Sequence, residues 1–345
     1  EMSSRGLGDV YKRQEKGFSL DDVQLSGTWV SSNQFSAHAK LMAHQAIGEI
    51  ELELENFWLE IPLFNQSQNI ELSIGKMTTH ATPLAAWHAS TSYFSEAPLL
   101  ADVFWGRHFS DTGIHISKKL AQTSFGIETW NGNSWPGTRG DGSFITYIKH
   151  PITFAKTSIN TGFWALSGKV EKRIDNRYSA GHNHGNDIPN PAGDFAFTGD
   201  QQLLGFYTQA TLPIGKTTLD GRLEGIWLTS KGELNDNNQS SPYENNHQGY
   251  SIEISAAQAK HTFAARYQRV VLENRFYGDT SALFIEQASL KNNGFEPNVL
   301  NLSWLWQWRE TLSFRTEYVI DSSQSTEGIN RVNIGVVWSE SFFRQ

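Results

Sequence analysis

The chain has 345 residues with 36 acidic against 28 basic side chains, a formal net charge of -8, and no cysteine. Disulfides, thiolate metal sites and cysteine nucleophiles are therefore excluded. The acidic balance, with a pI of about 5.8 and no basic run, argues against a nucleic-acid partner. A mean hydropathy of -0.45 and the lack of any long uncharged apolar stretch exclude a helical membrane bundle. Twelve Trp, 10 Tyr and 21 Phe are too many rings for a disordered chain, and 29 Gly against 10 Pro suit short turns between strands.

Residues 1–14 do not join the pattern that follows. They resemble translated adapter sequence and are set aside as non-native, leaving 15–345 as a single unit whose own N-terminus is missing. From residue 20 the hydrophobic period is two. Ile50, Leu52 and Leu54 alternate with Glu49, Glu51, Glu53 and Glu55. Leu219, Leu223 and Trp227 alternate with Asp220, Arg222 and Glu224. Leu300, Leu302, Trp304, Trp306 and Trp308 alternate with Asn301, Ser303, Gln307 and Arg309. The last two such rows place Leu312, Phe314, Tyr318 and Ile320 against Arg315 and Glu317, then Val332, Ile334 and Val336 against Arg331.

In chain order these rows predict strands near 20–30, 34–43, 47–60, 69–77, 112–118, 123–130, 143–150, 158–173, 201–212, 216–231, 247–257, 260–272, 297–308, 311–321 and 328–342. Many are longer than the strands of a soluble sandwich and have one strongly apolar and one charged face. Lipid leaves no unpaired backbone group unpunished, so a closed antiparallel sheet is the β solution that spans a bilayer. Short links (119–122, 213–215, 258–259, 309–310) alternate with long ones (78–111, 131–142, 174–200, 232–246, 273–296), as in an outer-membrane barrel. Such barrels have even strand numbers, so fifteen predicted strands imply a sixteenth before residue 20. Residues 281–290 are assigned to a loop.

An all-β transmembrane barrel points its polar rows into the lumen. Glu49, Glu51, Glu53 and Glu55, with Asp220, Arg222, Glu224, Arg315, Glu317 and Arg331, are then the candidate selectivity residues. An acidic wall would favour cations; a solvated face without selectivity is the plainer reading. Crowded carboxylates should pair with bases such as Lys40 or Lys76. The 34-residue link 78–111 is too long and too aromatic for an ordinary hairpin. It is expected to fold into the mouth as a constriction carrying Trp87, His88, Asp102, Arg107 and His108, with rim packing as the alternative. His182 and His184, with Asp187, have a spacing that suits one metal ion, although a solvated polar loop is the plainer reading. No nucleophile elbow, phosphate loop or zinc-protease helix is present, so no enzyme activity is expected.

Four segments carry a family resemblance: Ile70–Lys76, Ala97–Leu100, Asp111–Ile114 and Phe197–Asp200. With the strands they resemble porin-like outer-membrane proteins of proteobacteria, loosely those grouped with phosphate-selective porins, some of which are linked to zinc uptake. The resemblance implies a Gram-negative outer-membrane channel for passive diffusion of small or ionic solutes, in contact with lipid and lipopolysaccharide. It implies no resident cofactor, and some such barrels are homotrimers. Two alternatives stay open: a zinc-handling barrel using the histidine loop, and a soluble all-β protein that uses its aromatics to bind glycans.

Overall fold

A computed structural model describes residues 22–31, 35–46, 49–63, 69–137, 142–174, 195–236, 239–288, 290–323 and 328–341. Fifteen strands form one sheet: β1 (Val23–Val30), β2 (Ser36–Ala46), β3 (Glu49–Leu63), β4 (Ile70–Thr78), β5 (Ser110–Leu120), β6 (Thr123–Trp130), β7 (Ser143–Phe154), β8 (Thr157–Ile174), β9 (Ala196–Ile214), β10 (Thr217–Asn235), β11 (Ser240–Gln258), β12 (His261–Phe276), β13 (Asn298–Arg309), β14 (Leu312–Ser322) and β15 (Ile329–Trp338). Each pairs antiparallel with the next in an unbroken meander. All fifteen coincide with the predicted rows. The adapter-like residues, the expected sixteenth strand, and His182, His184 and Asp187 lie outside the described residues.

The long link expected at 232–246 is corrected to a connection of four residues, 236–239. β10 and β11 instead run on for 19 residues each. Their outer ends, 229–235 and 240–248, are polar at most positions with Leu234 and Tyr243 as the large apolar exceptions, which hides a strand from a hydrophobic count. Within 281–290, residues Ala282–Gln287 form a short helix, α2.

Side chains sort as a barrel in lipid requires. Leu302, Trp304, Trp306 and Trp308 are exposed on the outside, while Asn301 and Ser303 are buried inside. The outer face continues around the sheet through Ile114, Ile127, Phe163, Leu204, Ile254, Phe263 and Ile334. One rim carries the tight turns. Gly215 there has φ 62°, and Ala121, Ala155 and Ala259 take the same left-handed conformation in the neighbouring two-residue turns. Trp306, Trp308 and Trp338 lie beside this rim, where an interfacial aromatic girdle belongs.

Two irregularities re-aim side chains. Lys40 pairs with Asn56 and Leu41 with Leu54, so Glu55 is an extra residue in β3. The bulge turns Glu55 and Asn56 both inward and shifts the outward row from Leu52 and Leu54 to Phe57 and Leu59. Aromatic rings also lie flat over glycines of the next strand. A Cβ on Gly126 would meet Tyr147 at 2.1 Å, and one on Gly205 would meet Trp164 at 2.2 Å.

Candidate pore constriction

The link between β4 and β5 folds into the barrel. It holds 3-10 turns at Pro83–Ala86 and Ala89–Thr91 and a helix, α1, at Leu99–Trp105. Pro at the first helical position and the Thr82 hydroxyl, which accepts from Leu84 N, start the first turn. Gly106, with φ 59°, ends α1 in the left-handed conformation that glycine tolerates. The helix is apolar on nearly every side: Leu99, Leu100, Val103, Phe104 and Trp105 are all buried. Such a helix cannot rest at a wet mouth, and it meets an apolar inner wall instead.

That wall is made by Ile145, Trp164, Leu166, Leu203, Ile226, Leu228, Val270, Val299 and Val319, which form one core with the loop. Trp105 packs against Trp164 with ring centroids 5.0 Å apart and edge-on to Phe109 at 5.6 Å. Gly249 is bare wall beneath Phe104; a Cβ there would lie 2.8 Å from the ring. Much of the lumen is therefore filled by protein.

Polar clamps fix the loop at three places. At its start, Glu128 accepts from Thr79 Oγ1 at 2.5 Å, His80 N at 2.8 Å and Trp130 Nε1 at 3.1 Å. At the bulge, Glu55 accepts from His88 Nε2 at 2.9 Å and pairs with Lys40 at 3.2 Å. Along the last strands, Glu317 accepts from Ser95 N at 2.8 Å and Ser95 Oγ at 2.5 Å, and from Asn301 at 2.9 Å. Arg315 donates to the Ala89 and Ser92 carbonyls, Arg266 to the Glu96 carbonyl, and Arg331 to the Glu96 carboxylate at 2.6 Å. Asp22, just before β1, accepts from Ser90 N. One loop thus touches the approach to β1, then β3, β6, β12, β14 and β15, which requires the sheet to curl around it.

The loop's titratable groups record the burial. Burial, with Lys149 adding, holds the His80 imidazole down at about 4. Burial likewise lowers His108 and raises the Asp102 carboxyl despite its 3.1 Å pair with Arg107. Glu96 is raised by burial against the pull of Arg331.

Below the loop, towards the tight turns, lies a cavity of about 380 Å³. Its roof is the 3-10 segment with Trp87, His88, Thr91 and Tyr93. Its wall is Asn160 and Gln209 with Asp220, Arg222, Glu253 and Ser255. Register places Gln209, Arg222, Glu253, Arg266 and Asn301 in a single row across five strands. Of the two arginines in that row, Arg266 is committed to the loop and Arg222 faces the cavity.

The residues singled out in the sequence are dispersed by the structure. Asp220, Arg222, Trp87 and His88 meet at this cavity, with Glu224 buried above Arg222. Arg315, Glu317 and Arg331 face inward and hold the loop. Glu53 and Glu55 belong to the inward row of β3, and Glu55 is the one that engages the loop, through the expected Lys40 and through His88. Glu49 and Glu51 are placed by backbone register alone, opposite Ala46 and His44. His108 stands 5.8 Å from the His88 ring. Glu128, Glu96 and Arg266 were not singled out, although Glu128 is a charge on the inward face of an otherwise apolar and hydroxylic strand. Among the described residues, no group of three or more His, Asp or Glu is arranged to hold a metal.

No protein-family model and no curated protein matches the chain. Solved structures do match. OprB of Pseudomonas putida superposes with a TM-score of 0.57 at 9% identity, over 91% of this chain and 86% of that one. OmpT of Vibrio cholerae, an outer membrane protein in its trimer form, gives 0.52 at 13% identity, over 91% and 89%. A second structure of outer-membrane-expressed OmpT gives 0.51 at 12% identity, over 92% and 88%. The fold is that of an outer-membrane β-barrel.

Proposed function

We propose that the chain is an outer-membrane channel through which small ions and solutes diffuse passively along a lumen narrowed by the β4–β5 loop. The observation that carries this reading is the loop itself. It is bolted to the wall by buried carboxylates and arginines at three places, so it acts as a fixed constriction. What it leaves open is a polar cavity with three charged side chains on its wall. The apolar outer surface supports lipid contact and tells against a soluble glycan-binding protein. A zinc-handling role would rest on His182, His184 and Asp187, which lie outside the described residues.

Two carboxylates against one guanidinium give the cavity a modest preference for cations. The test is single-channel recording in planar bilayers with protein that shows heat-modifiable mobility in gels. Small conductance steps and a reversal potential shifted towards potassium in a KCl gradient are expected. Folded protein that never conducts would end the channel reading. A homotrimer is the assembly we propose to look for first, by cross-linking in native membranes.

A further inference from the structure

The cavity under the loop is asymmetric in chemistry. On its barrel side stand Asp220 and Glu253; on its loop side stand the rings of Trp87 and Tyr93. The one guanidinium present is already occupied. With the Gln209 amide oriented to suit its neighbours, its oxygen accepts from Arg222 Nη2 at 2.6 Å and Nε at 2.8 Å, and Glu224 lies 3.7 Å from Nε. His88 is likewise spent on Glu55. Asp220 accepts from Thr211 Oγ1 at 2.6 Å through Oδ1 alone and lines the cavity. Glu253 makes no hydrogen bond or close ion pair among the described residues; it interacts at longer range with the buried Arg266 guanidinium, and Arg222 flanks it on the other side.

A second observation is independent of the charges. Ser255 is buried, lines the cavity, and has a hydroxyl without a hydrogen-bond partner; Trp87 Nε1 is also unpartnered. Two lining residues therefore carry polar atoms that no protein atom uses, both closed off from solvent in this conformation. A cavity of about 380 Å³ is far larger than a bare inorganic cation needs. Carboxylates on one wall and aromatic rings on the other match an ion with a positive charge and an apolar body.

We propose that this cavity is a binding subsite for small organic ammonium ions, held by Asp220 and Glu253 against the rings of Trp87 and Tyr93. The proposal rests on the channel reading only for the route by which the ion enters.

The test uses the full chain in detergent and choline as probe, with 3,3-dimethylbutan-1-ol as its uncharged isostere. Equilibrium dialysis should show saturable choline binding and far weaker binding of the alcohol. The double variant Asp220→Asn, Glu253→Gln keeps side-chain size and should weaken choline by at least roughly tenfold. In bilayers, choline should reduce potassium current in the parent protein and not in the variant. Equal binding of choline and the alcohol, or unchanged choline affinity in the double variant, overturns the proposal. Conductance without choline binding would overturn the subsite and leave the channel standing; choline binding by folded protein that never conducts would do the reverse.

Discussion

If the loop is what narrows the lumen, its helix must be removable while the barrel survives. The perturbation is to replace Leu99, Leu100, Val103, Phe104 and Trp105 together with serine. Each of these is buried against the inner wall, and a buried side chain of this kind contributes about 1.5–3 kcal/mol. The five together hold the helix down by about 8–15 kcal/mol, an upper estimate because an undocked loop would still hide some apolar surface. Losing that much overwhelms the clamps at either end and should release the helix from the wall. Single-channel conductance should rise several-fold, and larger uncharged sugars should enter in liposome swelling. By contrast, Phe104→Ala alone costs about 3–5 kcal/mol, leaves the other four anchors, and should not change conductance. The reasoning is refuted if the five-serine variant, still heat-modifiable, shows the parent conductance and the parent size limit.

Glu128→Ala removes the acceptor shared by Thr79, His80 and Trp130. Leaving buried donors unpaired costs about 1–3 kcal/mol each, so thermal unfolding in detergent should occur at clearly lower temperature. His80 has a folded value of about 4, below its ordinary 6.5. The undocked loop therefore takes up a proton more readily, and docking loses stability as pH falls from 6.5 towards 4. Protease cleavage within 80–108 should accelerate over that window, and His80→Phe should flatten the response. Ile334 is exposed to lipid near the middle of β15; Ile334→Arg should cost about 2–4 kcal/mol and lower the yield of folding into vesicles. Gly335→Ser, on the inner side where an added Cβ meets nothing within 4 Å, should not lower that yield. Gly249→Ala puts a methyl 2.8 Å from the Phe104 ring, an overpacking of about 1–3 kcal/mol that should appear as destabilisation relieved by Phe104→Leu.

Strand positions were legible because lipid enforces a rule that sequence displays without help: every second residue must be apolar. What that rule omits is whatever covers the inside. Among the described residues the inner wall is apolar where the loop sits and again where Phe197, Leu234 and Tyr243 pack with Phe284 of α2; under the loop its trace in sequence is a broken dyad. Leu203-Leu204, Ile226-Trp227-Leu228, Val270-Val271-Leu272 and Tyr318-Val319-Ile320 are each apolar on both faces. Runs of this kind belong to strands buried on two sides, and the inner members of all four join the same core with the loop. Read together, they foretell an internal plug at one height of the barrel. The β3 bulge has a trace as well, in the change of the apolar row from even positions, Leu52 and Leu54, to odd ones, Phe57 and Leu59.

The cavity is less legible, for a reason of distance. Its wall comes from β8, β9, β10 and β11, and its roof from a loop some 70 residues and more upstream, so no local spacing marks it. Sequence can place Asp220 and Arg222 on an inward face. It cannot say that Gln209 and Glu224 will absorb the guanidinium, nor that Arg266, one strand beyond Glu253, will turn to a loop carbonyl. The Glu224 carboxylate offsets the Arg222 charge, and the turn of Arg266 towards the loop takes its charge out of the cavity lining. Had Arg222 and Arg266 both faced the cavity unpaired, the same row of residues would favour anions. On the channel reading proposed above, selectivity is set by which charges the constriction leaves unclaimed, and the loop is also the element that claims most of them.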